Sequence, residues 1–109
     1  MSYDLNNLYT KPAFDNANSP QADQRLTVDA TAGGLQFTAY DTRTVAVVDL
    51  DIQDADVMVT FDGSSPTSTN GHRLYVGNAY TWATARFNNA KFIRQGSTSG
   101  TVHASPSAV

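Results

Sequence analysis

Cysteine is absent from this 109-residue chain, and so is glutamate. The first absence excludes disulfides and thiolate metal sites. The second is less usual: the acidic residues are all aspartate, and lysine occurs only at Lys11 and Lys91. Glu and Lys are among the best surface helix formers, so a chain nearly without them is not expected to be helical. No apolar run approaches the ~20 residues that cross a bilayer. The N-terminus also lacks the basic start and apolar core of a signal peptide. A soluble chain made in a cytoplasm, with no membrane partner, is expected. Arg25, Arg43, Arg73, Arg86 and Arg94 are scattered and the net charge is −3. Nucleic-acid binding needs a clustered basic face to displace counterions, so it is not expected.

What is present is the alternation of half-buried strands. A chain of this length makes one domain that hides roughly 65% of its unfolded surface, enough to fold without staples. Leu26, Val28 and Ala30 alternate with polar neighbours, and Gly33-Gly34 makes a turn. Leu35, Phe37 and Ala39 continue the pattern, as do Ala46, Val48, Leu50 and Ile52. Val57, Val59 and Phe61 form the clearest strand, stopped by Asp62-Gly63, which tolerates positive φ. Further strands are expected at Leu74 to Val76, Ala79 to Ala83, Lys91 to Arg94 and Thr101 to Ala104, with Thr81 to Asn88 the only window for a helical turn. About eight short strands with turn residues every 8–12 positions predict an all-β fold, a single antiparallel β-sandwich or jelly-roll-like barrel. It spans residues 25–105, preceded by an extended N-terminal arm (1–24) and followed by a C-terminal tail (106–109).

The first 24 residues are rich in Asn, Asp, Ser and Gln, and Pro12 and Pro20 interrupt any helix. Two readings stand. One is a disordered tail. The other is a partner-binding arm, because Tyr3, Leu5, Leu8, Tyr9 and Phe14 are many large apolar groups for a solvating segment.

No constellation carries catalysis. Asp49, Asp51, Asp54 and Asp56, with Asp62 beyond, invite a calcium reading, but counting from Asp49 the sixth position is Asp54 rather than Gly and the twelfth is Thr60 rather than Glu. The expectation is an Asp-rich strand face and turn. His72, in a turn, and His103, half exposed on a strand, have no metal-ligand spacing. No Gly-x-Ser-x-Gly elbow exists, and Gly96 to Gly100 lacks the Lys of a phosphate loop. No catalytic residue, metal or cofactor is therefore expected. Among the aromatics, Trp82 and Phe92 are expected in the core. Tyr75 and Tyr80 suit a subunit contact, where an apolar body with a polar tip is favoured. An exposed patch from Tyr75, Tyr80 or Trp82 would instead mark a carbohydrate- or receptor-binding module.

The stretch from Val57 through Asp62-Gly63, Pro66-Thr67 and Gly71 to Leu74, followed by Phe92-Ile93-Arg94, resembles small proteins encoded among tailed-bacteriophage structural genes. The resemblance covers about residues 45 to 105; the N-terminal third departs from it. It implies a virion component made in the host bacterial cytoplasm. The role implied is a capsid decoration (cement) protein, or otherwise a head–tail or tail accessory subunit. Its partners would be the major capsid protein and itself, as a dimer or trimer. The arm, Tyr3 to Phe14, is the expected shell contact. Deleting residues 1–20 is expected to leave a folded domain that no longer co-sediments with capsids, and unchanged binding would exclude the arm as that contact.

Overall fold

The computed structural model describes residues 22–108. The expected arm contacts Tyr3, Leu5, Leu8, Tyr9 and Phe14 lie outside the described residues. Seven strands and one short helix follow in the order β1 (Gln24–Val28), β2 (Val45–Gln53), β3 (Val57–Thr60), β4 (His72–Leu74), β5 (Ala79–Ala83), α1 (Thr84–Asn89), β6 (Lys91–Arg94) and β7 (Gly100–Ala108). They form two antiparallel sheets, ordered β1-β7-β2-β5 and β4-β3-β6. The sheets pack face to face, giving the all-β sandwich expected from the strand periodicity.

β2 shows how the sequence makes this layer. Val48, Leu50 and Ile52 are buried while Asp49 and Asp51 point to solvent, as alternation requires. Ala46 was expected inside and is exposed; Val45 is buried in its place. The cause is a β-bulge between Val45 and Val47, where the register against β7 shifts by a residue. The carbonyl of Val45 accepts a hydrogen bond from the buried Thr84 hydroxyl at 2.8 Å, which ties the start of α1 to the bulge.

The segment Leu35 to Ala39 has strand periodicity but is not a strand. Only Leu35 makes a bridge, exchanging backbone hydrogen bonds of 2.7 and 2.8 Å with Phe92 of β6. Beyond it, side-chain amides replace a strand partner. Gln24 accepts from the Thr38 N–H at 3.0 Å and donates to the Thr38 carbonyl at 2.8 Å. Asn88 does the same for Tyr40, with both bonds at 2.9 Å. The backbone is thus satisfied without a ladder, and Phe37 and Tyr40 still reach the core.

Two boundaries differ from the sequence reading. Gln24, assigned to the arm, begins β1 and pairs with Ala104. Residues 106–108, assigned to the tail, continue β7, with Pro106 opposite Val48. Proline is tolerated there because β1 reaches only as far as Ala104, so among the described residues β7 has a single neighbour at that point and no second ladder needs an N–H.

An unbroken run of aromatic rings passes through a core otherwise built of Val, Leu, Ile and Ala. Tyr40 stacks on Phe87 (5.3 Å between centroids), Phe87 meets Phe37 (5.0 Å), and Phe37 meets Phe92 edge-on (5.5 Å). Phe92 lies against Trp82 (6.1 Å), whose edge meets Phe61 (4.8 Å). Such pairs add about 0.5–1.5 kcal/mol each beyond area burial. Asn88→Ala is expected to destabilise the domain by about 1–3 kcal/mol in urea melts, because it strands both polar groups of the Tyr40 backbone in a part-buried site. An unchanged midpoint would show that water replaces the amide without loss.

Candidate functional site

The two margins of the sandwich are unlike. On one, a 3.0 Å bond from the Arg94 N–H of β6 to the carbonyl of Asp29, the residue after β1, links the sheets, and Leu35 bridges to Phe92 of β6 beside it. On the other, β4 and β5 are both outer strands, and no ladder joins them among the described residues. A groove of about 260 Å³ opens between them, lined by Phe61, His72, Arg73, Leu74, Tyr80, Trp82 and Arg86. An adjoining hollow of about 360 Å³ shares Phe61, His72 and Arg86 and continues past Asp62, Ser64 and Asn70.

Arg86 is brought here by α1. Thr84 anchors the helix, Phe87 turns into the core, and the preceding Arg86 carries its guanidinium over the Phe61 ring at 4.3 Å. His72 stands beside the same ring, 5.8 Å away. It is an exposed residue of β4 rather than the turn residue expected. Gly71 closes the inner wall with φ +132, and a Cβ there would lie 2.7 Å from the Val59 carbonyl oxygen. Only glycine allows this approach.

Above the groove, the β4–β5 turn ends in Tyr75 and Val76, the large apolar side chains most open to solvent among the described residues, at 52% and 48% exposed. This tip is braced from below. Asp56, only 15% exposed, takes the Val76 N–H at 2.7 Å on one carboxylate oxygen. On the other it takes the Arg73 guanidinium at 2.7 and 2.9 Å. The Tyr80 hydroxyl accepts from the Tyr75 N–H at 3.0 Å, and the Arg73 guanidinium lies 5.2 Å from the Tyr75 ring centre. Of the two tyrosines expected at a contact, Tyr75 therefore stands out in solvent, whereas Tyr80 is half-buried and holds Tyr75 in place. Trp82 and Phe92 are buried as expected.

The aspartates have separate duties. Asp49 accepts from the Thr81 hydroxyl, Asp51 from the Gln53 amide and Asp54 from the Thr101 hydroxyl. Asp29, Asp41 and Asp62 each accept the N–H two residues on, from Thr31, Arg43 and Ser64. These are Asx turns, which the shorter Asp side chain makes and Glu does not. No three potential metal-ligating side chains gather among the described residues. His103, half exposed on β7, faces Asp23 at 3.2 Å. Sequence reasoning weighed His72 only as a metal ligand and Phe61 only as a strand residue, and gave Arg86 no site role. Their only local signal is the placing of Arg86 beside an inward Phe87.

The chain matches no known protein family, no characterised protein and no solved structure.

The carboxyl of Asp56 is held below its ordinary value of 3.8, first by the Val76 N–H and then by Arg73. Those of Asp29 and Asp62 are lowered by the hydroxyl and then the N–H of Thr31 and Ser64, and that of Asp41 by the N–H and then the guanidinium of Arg43. Groups depressed in the folded state contribute stability that is complete above their unfolded pKa and lost as pH falls through the folded one. Stability is therefore expected to decline below about pH 4–5. Asp56→Ala is expected to cost about 1–3 kcal/mol at pH 7, with the gap from wild type narrowing toward pH 3. Urea melts of both proteins across that range check this, and a constant gap would contradict it.

Proposed function

We propose that this chain is a non-enzymatic virion structural protein, a decoration (cement) protein that binds an assembled phage shell and stabilises it. The resemblance carried by residues 45–105 supports the virion assignment, and that stretch supplies six of the seven strands. The geometric observation that carries a docking role is the braced tip. Tyr75 and Val76 are exposed apolar residues on a turn that a charged clip and a tyrosine hydroxyl hold in one shape. A contact surface ordered before binding loses little entropy when it docks. A flexible loop with the same residues would lose more.

The mechanism is mass action. A subunit that binds the assembled shell and not its loose parts stabilises the shell by an amount set by affinity and occupancy. Linked copies multiply weak individual contacts. The partners are the major capsid protein and further copies of this chain. A head–tail or tail position would use the same tip and is separated by the experiment below. A carbohydrate-binding module has less support, because Trp82 is buried and Tyr80 half-buried, leaving Tyr75 as a lone exposed ring among the described residues.

Mixed with shells that lack it, the protein is expected to co-sediment and to saturate at a fixed ratio to the major capsid protein. The Tyr75→Ser/Val76→Ser variant is expected to melt within a few degrees of wild type, since both side chains already face water. Its shell affinity should be at least tenfold weaker, about 1.4 kcal/mol. Absence of binding to shells, with binding to tails instead, would overturn the decoration role in favour of the tail position.

A further inference from the structure

The groove between β4 and β5 has a composition that calls for a particular occupant. Its floor is Phe61, Leu74, Tyr80 and Trp82, and its rim carries Arg73, Arg86 and His72. Arg73 is matched by Asp56, whereas Arg86 makes no ion pair among the described residues. An extended segment with apolar anchors beside acids would satisfy both floor and rim.

Residues 1–21 have that character. Asp4 lies between Tyr3 and Leu5, Asp15 follows Phe14, and Lys11 is the only basic side chain among them. They precede Ala22, whose carbonyl accepts from the Tyr40 hydroxyl at 2.6 Å beside β1. β1 and β5 are opposite outer strands of the same sheet. The segment therefore starts from one margin of the sandwich, and the groove lies at the other. A path across the outer face of that sheet within one molecule crosses Arg25 and His103 and then meets exposed Asp49 and Asp51 of β2, the last charges before the groove, which repel Asp4 and Asp15. Twenty-one residues reach up to ~70 Å when extended, ample to enter a neighbour.

We infer that the β4–β5 groove is the docking site for residues 3–15 of a second copy of this chain. The apolar side chains of that segment cover Phe61 and Tyr80, and its aspartates face Arg86 and His72. Each copy gives one segment and receives another, either reciprocally within a dimer or around a closed ring. This holds whatever the assembled protein binds.

The cysteine-free chain allows a direct test. His72→Cys is co-expressed with Leu5→Cys, Leu8→Cys or Phe14→Cys, all in the full chain, and oxidised. At one or more positions a mixed disulfide dimer is expected to exceed either self-dimer at least fivefold. Arg86→Glu, and separately Asp4→Lys/Asp15→Lys, are expected to reduce that band at least fivefold and to shift the light-scattering mass toward monomer. The second variant alters no residue of the folded body. Mixed dimers absent at all three positions would overturn the assignment, as would a monomeric wild type. So would a disulfide that forms only within single chains of Leu8→Cys/His72→Cys, because the segment would then occupy its own groove.

Discussion

The run of stacked rings from Tyr40 to Phe61 is the constraint to which the other elements answer. Six aromatic side chains from five separate stretches meet in sequence across the space between the sheets. Two packed sheets stand about 10 Å apart, and these rings share that space with the buried Val, Leu and Ile side chains of both sheets. Phe92 holds the middle of the run, and its backbone receives Leu35. The last ring, Phe61, leaves the core partly exposed and becomes the floor of the groove under Arg86. Core and candidate site are one continuous object, and the groove is where the aromatic layer reaches the surface.

Much of the sandwich was legible because strand alternation is a local signal. Val48, Leu50 and Ile52 against Asp49 and Asp51, and Val57 with Val59, report a buried face from spacing alone. Where the reading failed, the deciding partner was remote. Leu35, Phe37 and Ala39 alternate like a strand, but the groups that meet the backbone beyond Leu35 are the amides of Gln24 and Asn88, one before and one long after. Ala46 and Val45 exchanged places because of a bulge whose hydrogen-bond acceptor is satisfied by Thr84. Pro106 read as the start of a tail, although it fits a strand that has lost one of its neighbours.

The site was less legible than the fold. Tyr75 could be chosen because its apolar body and polar tip suit a contact, although Leu74 to Val76 read as a strand and Tyr75 stands in the turn after β4. The brace under it could not be foreseen, since Asp56 looked like one of several clustered acids. In the fold, Asp29, Asp41 and Asp62 share one feature, reach: each carboxylate takes the N–H two residues on. A longer side chain at Asp29, Asp41 or Asp62 would overshoot its own turn.

The position of β7 also governs the order in which the molecule can assemble. β1 pairs with β7 and with no other strand among the described residues, and β7 lies between β1 and β2. Strand β1 is made first and has no ladder to join until the most distant strand emerges. The intervening hairpin of β3 and β4, and its partner β6, can form earlier from nearer contacts. Sheet closure across nearly the whole described sequence has a high loop-closure cost, which slows folding relative to domains of equal size built from local pairs. During that delay β1 is an unpaired edge, and the cell must keep it from pairing with the wrong chain.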